Sequence, residues 1–186
     1  MSNFLYVPDY GSDISSDKKL ELIRSIIHPL DKIITIDTQG SYTPYAYSCG
    51  LKKVIEEDIN FDAIIGSSLG GFWATHYATE IFHEVPFVVF NPVMDPKKQL
   101  IPIDHVTAKS YADVEEINEE LSIVPALVIV ASDDPVIPSG PTIDFFSYRA
   151  RVIVVESDDH TLDTDVDKYN KILSNFLIKD INRLAV

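Results

Sequence analysis

The sequence is short of several features, and each shortage excludes a class of protein. It has a single cysteine, Cys49, so the chain forms no internal disulfide and we expect a reducing compartment. It has no apolar run of about 18 residues, which argues against a membrane-spanning helix. Its first residues lack the basic and long apolar segments of a secretory signal. We therefore expect a cytoplasmic protein without membrane insertion.

Basic residues are also scarce. The chain has 15 Lys and Arg against 29 Asp and Glu, which gives a formal net charge of -14. Because such a surface repels phosphate groups, we expect no binding to nucleic acid or to anionic membranes. With 186 residues, 46% of them hydrophobic, the chain is long enough for one domain, residues 1–186, with a substantial core. We expect a monomer or a small homo-oligomer.

Short apolar runs alternate with amphipathic segments along most of the chain. The predicted strands are Phe4–Val7, Lys32–Ile36, Asp62–Ile65, Val85–Phe90, Val124–Ala131 and Arg151–Val155. The predicted helices are Ser15–His28, Tyr45–Asp58, Leu69–Phe82, Pro141–Tyr148 and Asp165–Ile178. Continuous apolar runs are typical of parallel strands that are buried on both faces. The alternation predicts an α/β protein, a three-layer α/β/α sandwich with a mostly parallel six-stranded sheet.

One segment, Val93–Ser122, interrupts this rhythm. It contains two prolines and an acidic piece, Asp113–Leu121, that predicts a helix. We expect the segment to be an excursion over the sheet edge, or a small cap, that lines the binding pocket.

A strand, a G-x-S-x-G turn and a helix follow one another around Ser68. Gly66 and Gly70 lie two residues before and after it, where small residues let the backbones pass. So sharp a turn strains the residue at its centre and holds the Ser68 side chain out at the top of the sheet. The N–H of Leu69 points into the same space, where it would stabilise a developing oxyanion.

Two later loops supply partners for a serine at this edge, because the carboxyl ends of parallel strands meet there. Asp133 and Asp134 follow the fifth predicted strand, and His160 follows the sixth. A serine hydroxyl needs a neutral imidazole to accept its proton and an anion to orient that imidazole. Either aspartate fits the last role; Asp134 is favoured because it precedes the Pro-Val-Ile-Pro run that redirects the chain.

An acidic tract near the C-terminal helix invites comparison with a calcium loop. It begins like an EF-hand at Asp163, but Lys168 replaces the required glycine and Ser174 the bidentate glutamate. Acidic residues at a helix N-terminus explain the tract better. We expect no metal and no cofactor.

Taken together, these segments resemble the YqiA-like esterases, small members of the α/β-hydrolase superfamily with almost no cap. The matching pieces are Leu5–Val7, Gly66–Thr75, Val88–Pro92, Asp134–Ile137 and Asp159–His160. The resemblance implies a minimal α/β-hydrolase fold, with Ser68 as nucleophile, His160 as base and Asp134 as the residue that orients it. It also implies a small-molecule carboxylic ester as substrate, with thioesters as further candidates.

The sequence departs from that family after the first strand. The family has His-Gly-Phe there, whereas this chain has Pro8-Asp9-Tyr10. The Tyr10 N–H remains as a second oxyanion donor, but a negative charge on Asp9 opposes catalysis unless it points away. We therefore expect weak activity or an unusual substrate.

Two functions follow from these observations. The first is a serine hydrolase that cleaves small esters or thioesters through a Ser-His-Asp triad and an acyl-enzyme. The alternative is a catalytically weak or inactive hydrolase fold that serves as a ligand- or protein-binding module. Asp9 favours the alternative, as do three tyrosines that we expect to be exposed, Tyr42, Tyr45 and Tyr47.

Overall fold

The computed structural model describes residues 1–83, 85–115, 117 and 125–180. Its strands are β1 (Asn3–Val7), β2 (Lys32–Thr35), β3 (Ala63–Ser67), β4 (Phe87–Phe90), β5 (Ala126–Ala131) and β6 (Arg151–Val155). They form one six-stranded sheet in the order β2-β1-β3-β4-β5-β6, and each of these neighbouring pairs is parallel. The predicted sheet is therefore confirmed, and the described pairings are parallel throughout.

Seven α-helices are described. They are α1 (Lys18–Ile26), α2 (Pro44–Glu56), α3 (Leu69–His76), α4 (Pro96–Gln99), α5 (His105–Ser110), α6 (Ser139–Phe146) and α7 (Val166–Asn175). Short π-helical turns, Tyr77–Ile81 and Phe176–Asp180, follow α3 and α7, and 3-10 turns lie at Ile14–Ser16 and Asp163–Asp165. Within the described ranges, no helix is long and apolar enough to cross a membrane.

The helices cover both faces of the sheet, which gives the predicted three layers. On one face α2, α3 and α6 pack against the strands with buried aromatic residues such as Tyr47, Phe72 and Phe146. On the other face α1 and α7 contribute Leu20 and Tyr169 to a second core. Successive strand residues alternate between the two cores because side chains in a strand point to opposite faces.

Several predicted element boundaries were wrong by one or more residues, as three examples show. The predicted helix over Ser15–His28 begins at Lys18, because Asp17 is extended and its side chain caps the N–H of Leu20. The helix predicted from Pro141 begins two residues earlier, at Ser139. Strand β3 extends two residues beyond its predicted end, to Ser67.

The interrupting segment, Val93–Ser122, is described in part. Its described portion contains α4 and α5, while most of the expected helix Asp113–Leu121 and the expected strand start at Val124 lie outside the described residues. Tyr10 Oη donates to Asp104 Oδ2 at 3.0 Å, which fastens this segment to the loop after β1.

Candidate active site

The turn from β3 into α3 takes place at one residue, Ser68. Its φ is 49° and its ψ is -118°, a strained conformation for a residue with a side chain. The turn is so tight that a Cβ on Gly66 would lie 2.3 Å from the Gly70 carbonyl oxygen, and a Cβ on Gly70 would lie 2.2 Å from that of Val7. Both positions therefore require glycine, and the Ser68 hydroxyl stands at the carboxyl edge of the sheet.

The structure brings three of the predicted site residues into one hydrogen-bonded chain. The Ser68 hydroxyl lies 3.0 Å from Nε2 of His160. Nδ1 of the same imidazole lies 2.6 Å from Oδ2 of Asp134. The neighbouring Asp133 does not contact the imidazole; its carboxylate accepts a hydrogen bond of 2.7 Å from the Ser132 hydroxyl. Of the two aspartates that the sequence left open, Asp134 is the one beside His160.

Asp134 is held in its charged form. Burial of its side chain raises the pKa, but hydrogen bonds from His160 and from the N–H groups of Ile137 and Val136 outweigh that effect and leave the pKa below its ordinary value. The two N–H contacts measure 2.9 and 2.8 Å. An ionised carboxylate at this position fixes Nδ1 as the protonated nitrogen of His160, which leaves Nε2 free to accept the serine proton.

Asn91, directly after β4, holds the His160 loop by its backbone. The side-chain amide donates to the carbonyl oxygen of His160 at 2.5 Å and accepts from the N–H of Ala131 at 2.7 Å. Asn91 is 2% exposed and has a φ of 40°. Sequence reasoning missed this role, although the position of Asn91 just after a buried strand placed it at the same edge as Ser68 and Asp134.

Lys19 holds the same loop from the other side. Its buried ammonium group donates to the Thr161 carbonyl oxygen, to Asp163 Oδ1 at 3.0 Å and to the Tyr169 hydroxyl at 3.2 Å. Burial lowers the pKa of Lys19, and the negative charge of Asp163 opposes this shift. Sequence reasoning missed this contact as well, because a lysine in an amphipathic helix is typical of its solvent face.

The Asp9 carboxyl group occupies the two N–H groups that are expected to hold an oxyanion, those of Tyr10 and Leu69. Oδ1 of Asp9 accepts from the Tyr10 N–H at 2.5 Å, and the carboxyl group also interacts with the Leu69 N–H and the Ser68 hydroxyl. Burial raises the pKa of Asp9 from 3.8 to about 6, against the opposing effects of His160 and these hydrogen bonds. The Asp9 side chain therefore points into the site rather than away from it.

One expectation about the tyrosines was wrong. Tyr47 is completely buried, because it lies on the inner face of α2, stacks on Trp73 with ring centroids 5.3 Å apart and donates to the Pro8 carbonyl oxygen at 3.0 Å. Tyr42 is half-buried against Tyr10, whereas Tyr45 is 79% exposed.

A cavity of about 260 Å³ lies beside the site, between the loop after β1, α1 and the loop that carries His160. Asp9, Tyr10 and Thr161 are among the residues that line it. In the part of the chain that the structure describes, no group of three or more His, Cys, Asp or Glu side chains is placed to hold a metal ion.

Comparison with protein-family models shows which family the chain belongs to. Residues 4–177 match the model of the uncharacterised protein family UPF0227, the YqiA family. The chain belongs to this family. The resemblance drawn from the sequence is thereby confirmed. No curated relative matches the chain at a significant level.

Solved structures extend the comparison to the fold. Est1E from Butyrivibrio proteoclasticus has a TM-score of 0.79 at 11% identity, over 97% of this chain and 88% of that chain. A Xanthomonas campestris protein ascribed to the alpha/beta superfamily of hydrolases has a TM-score of 0.68 at 17% identity, over 95% and 98%. The esterase domain of a Rhodothermus marinus protein has a TM-score of 0.69 at 13% identity, over 94% and 85%. At these identities the likeness shows the fold alone, and it confirms the predicted α/β-hydrolase fold.

Proposed function

We propose that this protein is a serine hydrolase that cleaves small carboxylic esters or thioesters through an acyl-enzyme. The observation that carries the proposal is the pair of hydrogen bonds that joins Ser68 to His160 at 3.0 Å and His160 to Asp134 at 2.6 Å. The three residues come from different loops, and such an arrangement is the one that activates a serine hydroxyl.

In the first half of the reaction, Oγ of Ser68 attacks the carbonyl carbon and its proton passes to Nε2 of His160. Asp134 stabilises the imidazolium that results. The carbonyl π electrons move to oxygen, and the N–H groups of Leu69 and Tyr10 hold that oxyanion once the Asp9 carboxyl group has left them. When the tetrahedral intermediate collapses, the leaving alkoxide or thiolate takes the proton from His160. An acyl group then remains on Ser68.

In the second half, water attacks the acyl-enzyme while His160 accepts its proton. Collapse releases the carboxylic acid, and the serine hydroxyl recovers its hydrogen from the imidazole. Neither half calls for a cofactor, since proton transfer and charge stabilisation come from side chains and backbone. The same steps cleave a thioester, in which the leaving group is a thiolate.

The related folds support this substrate class. Esterases from Butyrivibrio proteoclasticus and Rhodothermus marinus share the fold, and one Est1E structure contains bound ferulic acid. In this chain Tyr10, which lines the cavity beside the site, has its ring 4.7 Å from that of Tyr42, centroid to centroid. Aromatic side chains at this position suit a small acyl or aryl group. We infer a small-molecule partner rather than a polymer.

The alternative function is a ligand- or protein-binding module on a weakened hydrolase fold. The observation that favours it is the Asp9 carboxyl group on the two N–H groups that the reaction requires. An inert Ser68 together with a tightly bound ligand would establish this alternative.

A fluorophosphonate probe and a graded panel of acyl esters and thioesters test the proposal. We expect the probe to modify Ser68, as located by peptide mass spectrometry, and Ser68→Ala to lose both labelling and turnover. Ser67→Ala, the adjacent serine, is the matched control and retains both. Folded wild-type protein that resists the probe and hydrolyses no member of the panel would overturn the proposal.

A further inference from the structure

The backbone that carries Asp9 is fixed against the turn at Ser68. The Pro8 carbonyl oxygen accepts a hydrogen bond of 3.0 Å from the buried Tyr47 hydroxyl. On the other side, Gly70 approaches so closely that a Cβ there would lie 2.5 Å from the Pro8 carbonyl oxygen. These two contacts hold the loop in place, so rotation of the side chain is the simplest way to remove the Asp9 carboxyl group from the site.

The carboxyl group lies where a reaction intermediate would place its negative oxygen. Oδ1 is 2.5 Å from the Tyr10 nitrogen, and the Leu69 N–H and the Ser68 hydroxyl interact with the same carboxyl group. An oxyanion hole is a set of N–H donors aimed at developing negative charge. A carboxylate satisfies those donors with the same charge, so an Asp9 carboxylate and a substrate oxyanion exclude one another.

We propose that the Asp9 side chain is a built-in occupant of the oxyanion site, which the carbonyl oxygen of a substrate has to displace before Ser68 attacks. The consequence for turnover rests on the proposed hydrolase function. The occupancy itself, a carboxyl group on the N–H groups of Tyr10 and Leu69, is independent of whether Ser68 is a nucleophile.

The groups around Asp9 determine the pH range in which its side chain binds most strongly to the oxyanion site. His160 faces it from the loop after β6, and the buried hydroxyls of Tyr6 and Tyr47 interact with it from β1 and α2. The charged groups that line the adjoining cavity are Asp13, Asp17, Lys18, Lys19 and Asp163. Burial has the largest effect and raises the pKa of Asp9 to about 6.

The direction of the effect follows from that titration. Above about pH 6 the group is a carboxylate, which makes charge-assisted hydrogen bonds about twice as strong as neutral ones. Below that pH it is a neutral acid that a carbonyl oxygen displaces more readily. The Asp9 carboxylate therefore lowers kcat/KM above about pH 6, by about tenfold for each pH unit.

The kinetic test compares wild type with Asp9→Asn and Asp9→Gly, using p-nitrophenyl acetate between pH 5 and pH 9. Dividing the kcat/KM of each variant by that of wild type removes the pH dependence that the two enzymes share. We expect this ratio to be close to one at pH 5 and to reach about 100 at pH 8. Asp13→Asn, a carboxylate that lines the same cavity, is the control and keeps a ratio near one. A ratio of one at every pH, or variants slower than wild type, overturns the inference.

A second measurement needs no turnover. In amide NMR spectra we expect the Tyr10 and Leu69 N–H signals of wild type to titrate near pH 6, and those of Asp9→Asn to stay constant. Acetate should shift both signals in Asp9→Gly and neither in wild type. If these shifts appear and no ester is hydrolysed, the proposed function fails while the occupancy stands. If esters are hydrolysed and the amides do not respond, the occupancy fails while the function stands.

Discussion

Asp134 and Asp133 are adjacent residues with the same chemistry, and they differ in what they touch. Asp134 accepts from His160 at 2.6 Å, whereas Asp133 accepts from Ser132. We expect Asp134→Asn to lower kcat about 10⁴-fold, because an amide does not fix the imidazole tautomer. Asp133→Asn, the matched control, should stay within about twofold. Steady-state kinetics on the best ester decides; equal losses in the two variants would contradict this assignment.

Asp9 also has a cost in stability. Its folded pKa of about 6 lies above the ordinary 3.8, so the folded state binds the proton more tightly than the unfolded chain does. Stability is then lost as the pH rises from about 4 to about 6, by about 1.4 kcal/mol for each pH unit. We expect Asp9→Asn to unfold with a free energy higher by roughly 1–3 kcal/mol at pH 8 and unchanged near pH 3.5. Urea titrations at both pH values measure this, and an unaltered or lower value at pH 8 would refute it.

For single residues, the sequence predicted some features of the site and left others open. Its pattern placed Ser68, His160 and an aspartate at one edge, because the ends of parallel strands are readable from apolar runs. It left Asp133 and Asp134 open, since both occupy the same loop and only the course of that loop selects one. It placed the Asp9 charge near the oxyanion donors but did not predict which way the side chain points. That orientation depends on the side-chain rotamer and on burial.

At the scale of elements, the packing of β1 against α3 limits what the turn at Ser68 tolerates. Gly70→Ala would bring a Cβ within 2.2 Å of the Val7 carbonyl oxygen, so β1 and α3 would have to separate. We expect a loss of several kcal/mol in unfolding free energy. Gly140→Ala is the matched control, because Gly140 lies in α6 with nothing within 4 Å; it should stabilise by up to about 1 kcal/mol.

Thermal unfolding of the two alanine variants, followed by circular dichroism, makes this comparison directly. If Gly70→Ala were as stable as wild type, the close approach of β1 to α3 would be wrong. The loop that carries Asp9 would then have more room to move than the structure gives it.

The strands and helices differed in how well the sequence predicted them. Strand β5 is buried at all six positions, so its apolar run identified it without ambiguity. Helix α4 has only four residues and begins at Pro96, which is too short to show a helical period. The start of α1 was misplaced because Asp13, Ser15 and Asp17 all suit a helix N-terminus, and tertiary contacts choose among them. Asp17, for example, also accepts from the buried Tyr6 hydroxyl at 2.7 Å.

For the whole molecule, the dominant electrostatic fact is the formal net charge of -14. Several ion pairs that the structure describes join exposed side chains, as in Lys52–Glu56 at 4.0 Å and Lys53–Asp37 at 3.7 Å. Exposed pairs contribute about 0–1 kcal/mol each, so they do little to offset the repulsion among surplus carboxylates. The folded state concentrates that charge more than the unfolded chain does.

Salt should therefore stabilise this protein. Raising NaCl from about 10 mM to about 150 mM shortens the screening length from about 30 Å to about 8 Å and weakens the repulsion. We expect Tm to rise by a few degrees, at about 2–4 °C per kcal/mol for a chain of this size. A variant with Glu57→Lys and Asp113→Lys, both at exposed positions, should show a smaller rise, because each replacement makes the net charge two units less negative. A Tm that falls with NaCl, or the same slope in both proteins, would show that repulsion among the carboxylates does not limit stability.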